Sequence, residues 1–237
     1  CLKFGAWRRW LAHLVRDQGV TRSNRVAPIF LTFLFIFSCY ADDNSAGSYN
    51  GPTGLMNIPS GNVLEGNEQT VSLHRYQIKY TYGILSLLEI GAKTSLENIS
   101  TLDSITKYFN FNAKIQILKE EQLFINLSAG IESSNVYCTI DKCFKELNNT
   151  TVYLGSGTSR FNYFFVGFST YIDSFLRIML EYDGQDFNIG GRLALSNHIN
   201  FDLYFLGIKK MFNLPYLNDI INNNIIFGLS YSEYLNI

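Results

Sequence analysis

The sequence LRIMLEYDGQDFNIGGRLALSNHINFDLYFLGIK, from Leu176 to Lys209, decides the fold because it holds three short runs in which apolar and polar residues alternate. The first run ends at Asp183-Gly184, and Asp-Gly between alternating runs is a strong hairpin signal. A second turn is predicted at residues 196–198. Successive side chains of a strand point to opposite faces, so each run predicts a strand with one apolar and one polar face.

The rest of the chain repeats this pattern. Further strand-like segments cover residues 70–83, 87–96, 108–118, 123–132, 149–159, 160–172 and 225–234. The clearest is 108–118, in which Phe111 and Ile115 alternate with Asn112 and Lys114. No segment has the pattern of an amphipathic helix, so the sequence predicts an all-β protein with roughly ten strands.

The composition favours a membrane environment for these strands. Apolar residues make up 47% of the chain and charged residues 16%, against about 25% in typical soluble proteins. The polar faces are rich in Asn, Ser and Gly, and the apolar faces in Phe, Leu and Ile. We therefore predict an antiparallel transmembrane β-barrel of about 10–12 strands, because a sheet in lipid must close on itself. A soluble β-sandwich also alternates and stays open as an alternative.

The N-terminal region predicts export. Residues 1–41 carry six basic side chains and one acidic one, and they end in an uncharged apolar run from Val26 to Ala41. This run is short for a spanning helix and has the features of a signal peptide, with cleavage expected after Ala41. Lipidation at Cys39 and an uncleaved anchor are the alternatives. Export and a barrel together predict a location in the outer membrane.

The predicted organisation has three parts. Residues 1–41 are an N-terminal extension and signal peptide, residues 42–68 a loop-like lead-in, and residues 69–237 the barrel. The lead-in contains Gly51 to Ser60, with two glycines and two prolines, which indicates turns and excludes a central strand. Residues 42–237 carry 13 basic and 19 acidic side chains, and this acidic balance argues against nucleic acid as a partner.

Two cysteines remain in the exported part. Cys138 and Cys143 flank a polar stretch, and in an exported protein two close cysteines in a loop predict a disulfide. Zinc is the weaker alternative, since it needs two further ligands and only His74 and His198 are available, far away in sequence. We expect the disulfide to lie in a loop outside the membrane.

Charged and amide side chains on the polar strand faces are the candidate functional residues, because in a membrane barrel they point into the lumen. The candidates are Glu89, Lys93, Asn112, Lys114, Asn126, Glu181, Asn188, Arg192 and Asp202. They either pair across strands and fill the barrel or line a path for a glycan or solute. A barrel of about ten strands is narrow and largely filled by side chains, which disfavours a wide polymer pore.

Catalysis has little support in the sequence. His74 and His198 could each serve as the base of a Ser-His-Asp arrangement, but nothing pairs either of them with a particular serine or acid. We predict no enzyme activity and no cofactor.

Several of these segments together resemble a known family. The pieces are Gly51–Ser60, Leu88–Gly91, Asn112–Lys114, Leu127–Ile131, Leu180–Gly184 and Asn188–Arg192. In this order they are similar to the YjbH-like outer-membrane proteins associated with exopolysaccharide production. The resemblance implies an outer-membrane barrel with no known catalytic site, with membrane lipid, polysaccharide and other export proteins as partners. Many members of the family are longer than this chain.

Three functions follow from this reading. The main hypothesis is a non-enzymatic outer-membrane barrel that supports exopolysaccharide biosynthesis or export. The first alternative is a secreted soluble β-sandwich that binds glycans through aromatic side chains. The second is an outer-membrane hydrolase, which requires His74 or His198 beside a serine and an acid.

Overall fold

The fold is a closed antiparallel barrel of twelve strands. The computed structural model describes residues 46–96, 109–208 and 224–235. Every strand pairs with its neighbours in sequence, and the last strand pairs with the first to close the sheet. This confirms the predicted all-β barrel, at the upper end of the predicted strand number. The predicted signal peptide, and Cys39 within it, lie outside the described residues.

The strands are short, with seven to ten residues each. They are β1 Glu68–His74, β2 Gln77–Ile84, β3 Leu88–Ser95, β4 Asn110–Leu118, β5 Asn126–Glu132, β6 Asn135–Phe144, β7 Thr150–Gly157, β8 Phe165–Asp173, β9 Leu176–Tyr182, β10 Phe187–Ala194, β11 Ile199–Phe205 and β12 Ile225–Tyr234. The helix α1, Glu120–Leu123, lies between β4 and β5. Within the described part of the chain, no helix is long and apolar enough to cross a membrane.

Two strands were missed in the sequence. The segment 70–83 is a hairpin rather than one strand, because the chain turns at Arg75, whose φ of 54° breaks the extended backbone. The second missed strand is β6, which contains the stretch around the two cysteines. The predicted turns at Asp183-Gly184 and at residues 196–198 are confirmed, as both separate paired strands.

Glycine is required at the Asp183-Gly184 turn. Gly184 has a φ of 97°, and a Cβ there would lie 1.9 Å from the carbonyl oxygen of Phe161. The Asp183 carboxylate accepts the backbone N–H groups of Gln185 at 3.0 Å and Asp186 at 2.9 Å. The turn therefore combines backbone freedom at one residue with a side-chain acceptor at the other.

The two ends of the barrel differ in their connections. The end where β1 finishes carries the connections 75–76, 96–109, 133–134, 158–164, 183–186 and 206–224, and we call it the long-loop end. The opposite, short-turn end carries 85–87, 119–125, 145–149, 174–175 and 195–198. The two longest connections thus share one end, while the other end has only short turns.

The barrel is polar inside and apolar outside. On β4, Asn112 and Lys114 point inward and are buried, whereas Phe111 and Ile115 point outward with 68% and 45% of their surface exposed. The same alternation places Leu180 and Ile189 on the outer face and their neighbours Glu181 and Asn188 on the inner one. An outer wall with so many exposed large apolar side chains is unusual for a soluble protein, in which most such side chains are buried.

The lead-in lies inside the barrel. Residues 46–64 fold back on themselves in the lumen, with bridges between Gly47 and Thr53 and between Gly54 and Pro59. Leu55, Met56 and Ile58 are almost fully buried. They belong to one apolar cluster with Tyr137, Tyr153, Phe161, Phe165, Met179, Tyr204 and Ile226. The loop-like segment of the sequence is therefore a central part of the core.

Candidate functional site in the barrel lumen

All nine predicted lumen residues lie on the inward faces of their strands. Eight are buried, and Lys93, near the long-loop end, is partly exposed. Most of them contact the lead-in or a side chain that holds it. The lumen is thus a binding site for a segment of the same chain. Acidic side chains of the wall accept hydrogen bonds from the N–H groups of the lead-in, and basic side chains donate to its carbonyl oxygens.

The first contact group holds Thr53. Glu89 and Lys114 face each other across β3 and β4, and their charged atoms lie 3.5 Å apart. The Glu89 carboxylate accepts the backbone N–H of Thr53 at 2.9 Å and its hydroxyl at 2.6 Å. Lys114 donates to the Thr53 carbonyl oxygen at 3.0 Å. Both charges are fully buried. Each is therefore balanced by the opposite charge and by hydrogen bonds with Thr53 of the lead-in.

The second contact group surrounds Glu181. Its carboxylate accepts three consecutive backbone N–H groups, from Met56 at 3.2 Å, Asn57 at 2.8 Å and Ile58 at 3.4 Å. Asn188, its cross-strand neighbour on β10, donates to it at 2.9 Å. The lead-in bends around Asn57, and the buried Glu181 carboxylate holds this bend by accepting its backbone N–H groups.

The third contact group is centred on Asp202. Arg192 donates to one carboxylate oxygen at 2.7 Å, and His74 Nε2 lies 2.8 Å from the other. The Arg192 guanidinium also donates to the Tyr204 hydroxyl at 2.8 Å and reaches the Leu55 carbonyl oxygen at 3.5 Å. Arg192 and Asp202 are cross-strand neighbours on β10 and β11, which explains their pairing.

The remaining predicted residues have supporting contacts. Asn126 donates to Asp141 at 2.7 Å. Lys93 donates to the lead-in residue Asn50 at 3.3 Å and forms an ion pair with Glu132 at 3.2 Å. Asn112 packs so closely against Gly51 and Gly91 that a Cβ on either glycine would lie 2.8 Å from its amide.

Sequence reasoning missed further lumen residues. Asp141 accepts the backbone N–H of Gly61, and Arg160 donates to the Asn57 carbonyl oxygen at 2.8 Å. Lys79 donates to the Ser48 carbonyl oxygen. Asp141 lies in the stretch interpreted as a cysteine loop, although Tyr137, Thr139 and Asp141 recur at every second position on one face. That periodicity was the available signal.

Among residues 46–96, 109–208 and 224–235, neither His74 nor His198 belongs to a catalytic triad. His74 has an acid, Asp202, but among the described residues no serine hydroxyl bonds to its other ring nitrogen. His74 is also completely buried beneath the lead-in and stacks on Tyr204, with ring centroids 5.6 Å apart. The ring of His198 bonds to the backbone oxygen of Ser232 instead. The described residues contain no group of His, Cys, Asp or Glu side chains that could hold a metal ion.

The predicted disulfide is wrong. Cys138 and Cys143 lie on the same strand, β6, with Cys138 facing outward, and both thiols are free. Five positions along a strand separate their Cα atoms by about 17 Å. A disulfide requires Cα atoms within about 7 Å, and these two side chains also point to opposite faces. The polar residues between them are barrel wall rather than a loop.

The cysteine pair gives a direct chemical prediction. When the protein is denatured without a reductant and treated with a maleimide, we expect both Cys138 and Cys143 to be alkylated. Mass spectrometry of the peptides that contain them measures this. Alkylation that requires prior reduction would contradict the extended β6 strand.

Comparison with known proteins identifies no relative: no family model matches the chain, and no curated protein matches it at a significant level. The segments that carry the resemblance nevertheless meet in space. Four side chains hold the Gly51–Ser60 segment, and each comes from a different one of the other segments that carry the resemblance. They are Glu89, Lys114, Glu181 and Arg192. Residues separated by more than 100 positions thus form one site.

Proposed function

We propose that this chain is a non-enzymatic outer-membrane β-barrel that supports exopolysaccharide biosynthesis or export. The observation that carries the membrane part is the outward apolar face. Side chains such as Phe111, Ile117 and Leu154 are more than half exposed around a barrel whose interior is charged. Exposed apolar patches larger than a few hundred Å² are rare on soluble monomers, and a lipid-facing wall accounts for them.

Aromatic side chains at the long-loop end support the same proposal. Phe109 and Phe111 are in contact at 4.8 Å between ring centroids, and Tyr182 contacts both Phe164 at 5.3 Å and Phe187 at 5.0 Å. Outer-membrane barrels carry such rings where the membrane meets water. They also have long loops on the cell surface and short turns in the periplasm, so the long-loop end would face the exterior.

The filled lumen favours a supporting role over a polymer pore. The lead-in occupies the interior from Leu64, beside Glu89, to Asn57, beside the turn at Asp183. We expect the lead-in to block the passage of a glycan chain while it is in place. Any contribution to secretion would therefore come from the barrel rims or from partner export proteins. The link to polysaccharide rests on the resemblance of the lead-in and its contact residues.

The two alternatives have less support. The predicted alternative of a soluble glycan-binding β-sandwich is wrong, because the sheet closes on itself. The exposed aromatic side chains of the barrel are also spread around the outer wall rather than collected in a groove. For a hydrolase, His74 has an acid partner but no serine partner among the described residues.

Cell fractionation and gene deletion test the proposal in two parts. We expect the protein in the outer-membrane fraction, released only by detergent, and we expect cells lacking it to secrete less polysaccharide into the medium. Recovery from periplasm or medium without detergent would overturn the membrane location. Unchanged polysaccharide in the deletion strain, alongside a membrane-bound protein, would overturn the secretion role alone.

A further inference from the structure

Within the described part of the chain, one lysine of the lumen has no acidic partner. Lys79 points inward from β2, is 2% exposed, and donates a hydrogen bond to the Ser48 carbonyl oxygen of the lead-in. Among the described residues, no carboxylate lies within 4.0 Å of its ammonium nitrogen. Asp202 is the inward acid of this region, and it already binds Arg192 and His74. The described part of this region thus holds one arginine and one lysine against one carboxylate.

Burying an unpaired ammonium group is energetically unfavourable. Transfer of an isolated charge into a medium of low dielectric constant costs several kcal/mol even after relaxation. Each of the other inward lysines has a carboxylate within reach: Lys114 has Glu89 and Lys93 has Glu132. Lys79 therefore differs from its neighbours in lacking the counter-charge that a buried cation requires.

Unpartnered polar atoms occur in the lead-in segment that Lys79 contacts and on the lumen wall at β11 and β12. The hydroxyls of Ser48 and Ser230 and the side-chain oxygen of Asn200 are buried without a hydrogen-bond partner among the described residues. Such atoms are uncommon in native proteins, and several of them close together require an explanation.

The strand register makes these positions contiguous. Asn200 on β11 faces Ser230 on β12, Ser230 faces Ser72 on β1, and Ser72 faces Lys79 on β2. The lead-in covers the Ser72 and Lys79 end of this row, since a Cβ on Gly47 would lie 3.4 Å from the Ser72 hydroxyl and 3.8 Å from the Lys79 ammonium. Lys79, Ser230 and Asn200 therefore belong to one buried patch that spans four neighbouring strands of the lumen wall.

From this patch we propose that the lumen binds a small monovalent anion such as chloride, enclosed between Lys79, Ser48, Ser230 and Asn200. The ammonium supplies charge and two further N–H donors, and each serine supplies an O–H donor. The Asn200 amide joins them when it is rotated so that its NH₂ group faces the anion, because the two orientations of an amide are assigned rather than observed. Water alone would satisfy the hydroxyls but would not neutralise the ammonium. The inference holds whether or not the barrel supports polysaccharide secretion.

Bromide, an anion close to chloride in size, gives a direct test. The full chain is refolded from urea into detergent in sodium bromide, so that the enclosed site can fill during folding, and the crystals are examined by anomalous scattering. We expect an anomalous peak within about 3.5 Å of the Lys79 nitrogen. A water or no density at this position would overturn the proposal, and so would bromide bound only at the barrel surface.

A stability comparison tests the same site in solution. Refolded in chloride, the wild-type protein should melt about 2–4 °C higher than in an equal concentration of gluconate, and the difference should saturate with chloride. Lys79→Met should abolish the difference, whereas the matched variant Lys93→Met should keep it because Lys93 pairs with Glu132. An equal chloride effect in both variants would mean general salt stabilisation. If Lys79→Met fails to fold, the bromide result on the wild-type chain decides.

Discussion

Glu181→Ala is expected to release the lead-in and to lower the free energy of unfolding by about 3 kcal/mol or more. The substitution removes the carboxylate that accepts, within the described part of the chain, the backbone N–H groups of Met56, Asn57 and Ile58. Each unsatisfied buried donor costs about 1–3 kcal/mol. Urea titration of the refolded protein in detergent, followed by the circular dichroism of the sheet, measures the loss.

Two further variants make this result specific. Ser169→Ala removes another buried inward side chain, which contacts Tyr153 and Arg177 rather than the lead-in, and should cost about 1 kcal/mol. Glu181→Gln keeps one side-chain oxygen as an acceptor and should fall between the two. Equal stability of Glu181→Ala and Ser169→Ala would show that the lead-in contacts contribute little.

The second large effect concerns the outer wall. Ile115 lies mid-strand on β4 and points outward, so Ile115→Arg should reduce the free energy of folding into lipid vesicles by about 2–4 kcal/mol. Val136 also points outward but lies at the long-loop end of β6, where arginine costs about 0–1 kcal/mol. Refolding titrations in vesicles compare the two variants. Equal effects would contradict a lipid-facing wall.

The wall of the barrel could be predicted from the sequence because its information is local. Alternation with a period of two residues assigns Lys114 and Ile115 to opposite faces, and likewise Glu181 and Leu180. This assignment does not depend on which strands pair. The same local rule located the turn at Asp183-Gly184. It failed at Arg75, where a non-glycine residue adopts a positive φ and turns the chain without a sequence signal. It was not applied at β6, where the two cysteines suggested a loop.

The position of the lead-in could not be predicted because it depends on contacts distant in sequence. Thr53 and Glu89 are 36 positions apart, and Asn57 and Glu181 are 124 positions apart. Glycine and proline in the lead-in correctly excluded a strand, but nothing local distinguishes a surface loop from a segment whose backbone is bound by buried carboxylates. The alternating faces of the strands predict the lumen residues, whereas the segment that these residues bind has only the pattern of a loop.

Hydrogen exchange of the lead-in tests the central claim most directly. The backbone N–H groups of Thr53, Met56, Asn57, Ile58 and Gly61 all donate to buried carboxylates of the barrel wall. If the lead-in fills the lumen, these amides in the detergent-solubilised protein should exchange as slowly as those of the barrel strands, for hours. Exchange of the whole segment within seconds, while the strands stay protected, would show an empty barrel with a loose lead-in and would contradict the account.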